Sequence, residues 1–456
     1  MNLIEQLQQI VGANGVLTGD DVRSRPNHSW GRGECPAMAI VRPRTTEEVS
    51  RIMALCHAQE QRVVPWGGLT GLVDGITCEA GDLVLSMERM QNIEHCEPDA
   101  GTLRVQAGAV LQSVQDAAAE AGWQFAVDLG GRGSAQIGGL VATNAGGNAV
   151  VRYGMMREQV LGLEVVLADG RVMSSLNEVL KNNAGYDMKQ LFIGSEGTLG
   201  IVTRAVLRLR PAANARQTAF LGMNSFDDVA ALLRHLQSHL EGKLSSFEVM
   251  WANHYRFMVE ELATHQTFLP VDYPYYVLVE SEGQFPDREE ALFTSVLGEL
   301  MEEGTIADAV IAQSGQQAEQ LWAMRDDVAS LIEAMAPMAA FDISLPLRDM
   351  QTYVAAMEQG LAKRLPEARV VVFGHLGDGN IHLVVGNIPD HKAVEEVVYG
   401  ELRNLGGSIS AEHGIGLEKR DYLAYSKGEI EIDLMRTLKH ALDPKGILNP
   451  GKVISA

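Results

Sequence analysis

Two histidines flank an Asp-Gly pair in VVVFGHLGDGNIHLVV, residues 370 to 385, and a Glu-His pair stands ahead of two glycines in SISAEHGIG, residues 408 to 416. Asp378-Gly379 is the dipeptide favoured by a two-residue type I′ hairpin turn, and the runs on either side are rich in Val, Ile and Leu. Such a turn pairs Gly377 with Asn380 and Leu376 with Ile381, and it sets His375 directly opposite His382 on one face. Cβ atoms of opposed strand residues lie about 4.5 to 5.5 Å apart, within reach of one shared ion. The hairpin alone leaves two readings open: metal ligands, or half-buried strand histidines bonded to backbone and solvent. Adding Glu412 makes a set of two imidazoles and one carboxylate, which keeps a coordination position open and so suits a catalytic divalent metal. The adjacent His413 has the type of side chain, with an ordinary pKa of about 6.5, that serves as a general base at neutral pH. Neighbours on a regular strand point to opposite faces, so Glu412 and His413 share a site only if the backbone turns, which Gly414 and Gly416 allow.

The elements that must position these groups begin with dense glycines in WGGLTGLVDG (66 to 75), DLGGRGSAQIGGLVATNAGGN (128 to 148) and LFIGSEGTLGIVT (191 to 203). Glycine lets backbone amides approach a phosphate or adopt positive φ. One such loop reads as a tight turn; three of them, with Asn144, Ser195 and Thr198 among them, read as a dinucleotide cradle. Neither GxGxxG after a first strand nor GxxxxGK[ST] occurs, which argues against a nicotinamide-binding Rossmann domain and a P-loop NTPase. PAMAIVRPR, TTEEVSRIMALCHAQE and RVVPW predict a β-α-β unit with a Thr N-cap, and LEVVLADGRVMSS (163 to 175) predicts a hairpin. AVLRLRP (205 to 211) closes the glycine-rich half near residue 212. Helices at 225–240 and 288–303 then alternate with strands such as YPYYVLVESEG. The tail carries LDPKGILNPGK (442 to 452), and no internal repeat stands out. The fold class is α+β.

At 456 residues the chain is long enough for two or three domains, and 46% hydrophobic with 21% charged residues is ordinary globular composition. A formal net charge of −22 argues against nucleic acid and polybasic membrane contacts. No apolar run reaches the roughly 18 residues of a membrane span. Cys35, Cys56, Cys78 and Cys96 have no framework spacing and read as free thiols of a reducing compartment, with no Cys-based cluster. The amphipathic start MNLIEQLQQIVGANG shows neither a secretory nor a transit pattern, so the expected location is cytoplasmic.

Taken together, VRPRTTEEVS, VVPWGGLTGL, GSAQIGGLVATNAGG, RYG, NNAGYDMKQLFIGSEGTLGIVT, LWAMR, GHLGDGNIH, SISAEHGIG and ILNPGK resemble flavoproteins of the vanillyl-alcohol oxidase type. Within that type the likeness is to the D-2-hydroxy-acid dehydrogenases, whose members act on hydroxyglutarate, lactate or glycolate. The resemblance implies a vanillyl-alcohol oxidase type FAD domain over 1–212, a ferredoxin-like cap for substrate and metal over 213–415, and a segment over 416–456 returning to the FAD domain. It implies an FAD cradle from Pro65, Gly67, Gly68, Leu69, Thr70, Gly71 and Leu72; from Ser134, Ile137, Gly138, Gly139, Thr143, Asn144, Gly146 and Gly147; and from Glu196, Gly197, Gly200, Ile201 and Asn449. With no histidine between 65 and 75, the FAD is expected to be non-covalent. A divalent ion, zinc before manganese or iron, is implied on His375, His382 and Glu412, with His413 as base and Arg325 on the substrate carboxylate.

The chain departs from hydroxyglutarate-type relatives at Ala340, where they carry a lysine, and at Val384, where they carry an asparagine. Leu69 replaces a small or polar residue of the flavin loop. An unpaired far carboxylate is costly, so the two pocket changes point to a substrate with a smaller or apolar side chain. The expected activity is oxidation of a D-2-hydroxy acid, with electrons passing to a quinone, an electron-transfer flavoprotein or a cytochrome. The alternative is a flavin-carrying subunit, like that of glycolate oxidase, active only in a larger complex. A homodimer is compatible with the sequence but not read from it.

Overall fold

A computed structural model of the chain describes residues 1–455. They divide into two compact units: Met1–Gly147 with Gly154–Ala212 and the residues from Glu412 onward, and Asn148–Tyr153 with Ala213–Ala411.

In the first unit Thr45 caps the helix Thr46–Ala58 by accepting from the Glu48 N–H, and Val49, Ile52, Met53 and Cys56 form its buried stripe. The flanking strands Ala39–Val41 and Val63–Trp66 are parallel, as a β-α-β unit requires, but each pairs with Leu83–Ser86, which lies between them. Val160–Val166 and Val172–Ser175 form the expected hairpin at the edge of a five-stranded antiparallel sheet. The tail runs beside Val63: the Val63 N–H donates to Ile447 O (2.8 Å) and the Asn449 N–H to Val63 O (2.8 Å).

The second unit is one seven-stranded antiparallel sheet. Its first half is β1 (Ala215–Met223), α1 (Phe226–His239), β2 (Leu244–Trp251), β3 (Tyr275–Gly283), α2 (Pro286–Glu302) and β4 (Asp308–Ile311). Its second half is β5 (Met338–Ser344), α3 (Leu347–Arg364), β6 (Arg369–His375), β7 (Asn380–Gly386) and α4 (His391–Leu402). The strand order is β4-β1-β3-β2-β6-β7-β5. The first half is therefore ferredoxin-like in order and connection. The second repeats that plan, with Ser408 bridging Ser344 where a fourth strand would stand. The cap is thus two such halves joined edge to edge through β2 and β6. This topological repeat leaves no mark in the sequence, because each half needs only apolar alternation of its own.

One face of the sheet carries Phe220, Met250, Tyr276, Leu278, Val371, Phe373 and Val384, packed against Leu321, Met324, Leu331 and Met335 from the helices Gly315–Asp326 and Val328–Met335. Residues 148–153 join this unit because Arg152 Nη1 donates to Glu282 O (2.8 Å) and the Tyr153 hydroxyl to Glu282 Oε2 (3.0 Å). Residues 412–415, assigned above to the cap, stand with the first unit, where the Glu196 carboxylate accepts from the Ile415 and Gly416 N–H groups.

The hairpin between β6 and β7 differs from its expected form. Phe373, not His375, pairs with His382, and the loop is four residues, Leu376 to Gly379, with Gly379 at φ 84°. The other edge of β6 is bound to β2, with His375 opposite Glu248, and Gly377 lies against Val151 and Phe247. These tertiary contacts override the local turn preference. A slip of two residues keeps side chains on their face, so His375 and His382 remain together as diagonal neighbours.

Candidate active site and cofactor cradle

The glycine loops of the first unit converge. Gly68 lies where a Cβ would meet Ser134 O at 2.0 Å, so the 67–68 and 134–135 backbones touch. Pro65 packs on Gly197, Gly194 donates its N–H to Val141 O (3.0 Å), and Glu196 donates its own to Ala142 O (2.7 Å). Helix Ile137–Thr143, with Gly138 and Gly139 in its first turn, stops at Asn144 in the left-handed conformation; Asn144 Oδ1 accepts from the Arg157 N–H (2.9 Å). Gly146 and Gly147 follow, and the Gly147 N–H donates to Glu412 Oε1 (3.0 Å). Gly200 and Ile201 lead into the strand Ile201–Arg208. Leu69 holds φ 58°, a conformation that is strained for a bulky side chain, and Thr70 packs beside Gly131 ahead of Gly71 and Leu72.

A cavity of about 200 Å³ is lined by Trp66, Gly67, Gly68, Leu69, Ser134 and Gln136 among others. Gln136 Oε1 and Asn449 Oδ1 are buried without a partner, and nothing stands within 4 Å over Gly71 or Gly139. Unpaired buried acceptors beside bare backbone are what a polar, multiply hydrogen-bonded cofactor satisfies, so the residues present fit FAD. Gln136 was not anticipated; its only sequence signal is a polar residue at the mouth of GSAQIGG. Glu196 serves the cradle differently from expectation. Burial raises its pKa, against the pull of the Ile415 and Gly416 amides, and its carboxylate clasps the chain (2.7 and 2.8 Å) while Asn449 Nδ2 donates to its carbonyl (2.7 Å). Gly414 at φ 87° and Gly416 at φ 52° supply the turn that Glu412 and His413 require.

In the second unit a row of ionisable side chains crosses four strands on one face. Glu248 on β2 stands opposite His375 on β6, and Asp342 on β5 stands opposite His382 on β7. Glu248 gives one oxygen to each neighbour: Oε1 accepts from His375 Nδ1 (2.8 Å), and Oε2 accepts from Arg325 Nε (2.9 Å) and Nη2 (2.8 Å). Burial opposes ionisation of Glu248, but His375 and Arg325 outweigh it and hold the carboxyl at about 2. Arg325 also contacts Asp326 (3.1 Å) and lies 5.2 Å over the Phe373 ring. The two imidazole rings are 5.1 Å apart at 86°, with His382 Nδ1 3.9 Å from Asp342 Oδ1. With Nδ1 on Glu248, His375 keeps Nε2 as its other ring nitrogen, which the Arg325 Nη2 approaches at 3.3 Å; a carboxylate behind Nδ1 is the usual way a metal-binding histidine is oriented. An imidazole so oriented, with His382 as its neighbour on the same face, fits a divalent ion. Sequence reasoning missed Glu248, whose signal was a lone acid in the apolar strand SSFEVMW, and gave Asp342 no role.

Residues 212–453 match the model of the C-terminal domain of FAD-linked oxidases, and residues 37–175 match that of the FAD-binding domain. Over 446 residues the chain is 39% identical to a mitochondrial D-2-hydroxyglutarate dehydrogenase of Bos taurus, covering 96% of this chain and 81% of that protein. It is 35% identical to the D-2-hydroxyglutarate dehydrogenase of Stutzerimonas stutzeri (100% and 99% covered) and to a putative mitochondrial D-lactate dehydrogenase of Schizosaccharomyces pombe (99% and 90%). Among solved structures, p-cresol methylhydroxylase superposes with a TM-score of 0.78 at 14% identity, covering 99% of this chain and 96% of that one. Among the described residues no helix is long and apolar enough to cross a membrane.

Proposed function

Because the chain belongs to the family of FAD-linked oxidases, we propose that it oxidises a D-2-hydroxy acid to the 2-oxo acid. The observation that carries this reading is the single buried carboxylate of Glu248, which fixes an imidazole and a guanidinium side by side. A 2-hydroxy acid can chelate a cation through its hydroxyl and one carboxylate oxygen and give its other carboxylate oxygen to a guanidinium; the oriented imidazole supports the first and Arg325 the second.

In this reading Arg325 pairs with the substrate carboxylate and His413 accepts the hydroxyl proton on an imidazole nitrogen as C2 gives up a hydride. FAD, held by the residues at 65–72, 134–147, 196–201 and 449, supplies the two-electron acceptor. His375, His382 and Glu412 would hold the divalent ion, zinc before manganese or iron, whose charge makes a hydroxyl more acidic. Glu248 keeps His375 in one tautomer, and burial of the row excludes water from the exchange of charge. Electrons leave to a quinone, an electron-transfer flavoprotein or a cytochrome, in a cytoplasmic protein that this reading allows to be a homodimer.

Ala340 and Val384 are direct partners in the β5–β7 ladder, and Val384 packs in the apolar cluster with Leu331 and Met335. A far carboxylate beside Val384 would meet hydrocarbon and find no polar partner on the exposed Ala340, which supports a substrate with a small or apolar side chain.

Anaerobic mixing of the purified flavoprotein alone with D- and L-2-hydroxy acids tests the proposal, repeated after chelation. Rapid bleaching of the flavin by D-acids, lost with the metal, is expected. Bleaching by L-acids only, or by none, would refute it.

A further inference from the structure

Asn380 opens β7 with a side chain that is 2% exposed, and neither its amide nitrogen nor its carbonyl oxygen has a hydrogen-bond partner in the protein. Buried amides are almost always paired, and leaving both halves of one unpaired is costly, so something outside the chain is the expected partner. The surroundings say what kind. Asn380 pairs with Ser344 on β5, and continuing the β6–β7 register two residues beyond Phe373 and His382 brings His375 to its other side. Strand alternation puts it on the face of His382, two residues on. The amide thus stands within the row formed by Glu248, His375, His382 and Asp342, and no residue of that row was seen in the sequence to need it.

We propose that Asn380 is a substrate-binding residue whose Nδ2 donates a hydrogen bond to a carboxylate oxygen of the 2-hydroxy acid, complementing Arg325. This rests on the 2-hydroxy-acid reading of the site. A neutral donor is what an anionic ligand needs beside the Glu248 and Asp342 carboxylates, since it adds a hydrogen bond without another ion pair to desolvate. The carboxylate is common to substrate and 2-oxo product, so the bond contributes to the ground state and the transition state alike.

The test compares FAD-loaded wild type with Asn380→Ala and Asn380→Asp. It uses D-lactate with pyruvate and D-2-hydroxyglutarate with 2-oxoglutarate as probe pairs. Steady-state kinetics, product affinity from the perturbed flavin spectrum, and thermal unfolding with and without the 2-oxo acid are read on each protein. For Asn380→Ala, KM and the product Kd rise together, roughly ten- to a hundredfold, while kcat stays within about threefold. Its unliganded form unfolds no lower than wild type, because the amide makes no bond there to lose, and the stabilisation by 2-oxo acid shrinks. Asn380→Asp is worse, through like charge on the ligand. The inference is overturned if KM and Kd move by less than about twofold. It is equally overturned if Asn380→Ala unfolds at a lower temperature with affinity intact, which would mark a structural amide bonded to buried water. A wild-type flavin that no D-2-hydroxy acid bleaches would remove the functional reading, and this inference with it.

Discussion

Glu248 and His375 lie 127 positions apart in the chain and 2.8 Å apart in the fold, register partners across β2 and β6 at the junction of the two halves of the cap. That seam holds part of the row of ionisable side chains. The carboxylate orients a strand histidine through its Nδ1, and the same group holds Arg325 in place.

Glu248→Gln keeps the volume and removes the charge. Loss of an orienting carboxylate behind a ligand commonly costs ten- to a hundredfold, so kcat/KM should fall by about that factor. Stability should change with pH as well. Glu248 has a folded pKa of about 2 against an ordinary 4.5, so its contribution is complete above 4.5 and is lost as pH falls from there toward 2. Thermal unfolding followed from pH 6 to about pH 3 should show a shallower acid decline in the variant. An unchanged slope would remove Glu248 as the responsible group.

Gly68→Ala should release FAD. Its Cβ would stand 2.0 Å from the backbone oxygen of Ser134, and neither loop can give way as a flexible side chain would. Overpacking of this kind costs about 1 to 3 kcal/mol, drawn from the loops that the cofactor needs aligned. The flavin-to-protein absorbance ratio after purification reports it; a fully yellow variant would contradict the placement of these loops.

Glu196→Ala strips two partly buried backbone N–H groups of their acceptor. At about 1 to 3 kcal/mol for each orphaned group, unfolding in urea should show a loss of roughly 2 to 6 kcal/mol. Glu196→Gln, which retains an acceptor oxygen, should lose less. Equal stability of all three proteins would mean that the clasp is not made.

Because Ala340 and Val384 face each other, the double variant Ala340→Lys with Val384→Asn should not behave as the sum of its parts. Asparagine at the buried Val384 position alone sits against hydrocarbon, and lysine at the exposed Ala340 position alone lacks that partner, whereas together they can share a second substrate carboxylate. The expected result is a gain in kcat/KM for D-2-hydroxyglutarate over D-lactate in the pair, with a coupling energy on the order of 1 kcal/mol or more. Additive effects on that ratio would place the selecting group elsewhere.

His375→Ala and His382→Ala should each lower bound divalent metal, measured by elemental analysis, while leaving the flavin content unchanged, since the cradle lies in the other compact unit. Metal content equal to wild type in both would dismiss these imidazoles as ligands.

Much of this was legible without coordinates. The Thr-capped helix after VRPR, the hairpin over 163–175 and the glycine loops rest on signals within a few residues of one another, and the β-strand period of two put His375 and His382 on one face under either hairpin register. What needed the tertiary structure were the long-range choices. The turn residues Asp378-Gly379 asked for a tight loop, yet β6 had its other edge bound to β2, and completing that ladder moved the register by two. The same burial brought Glu248 and Asp342 beside the histidines and drew residues 148–153 into the cap. Local propensity is decided by neighbours in sequence; strand pairing is decided by which distant partner buries more surface and leaves fewer hydrogen bonds unmade.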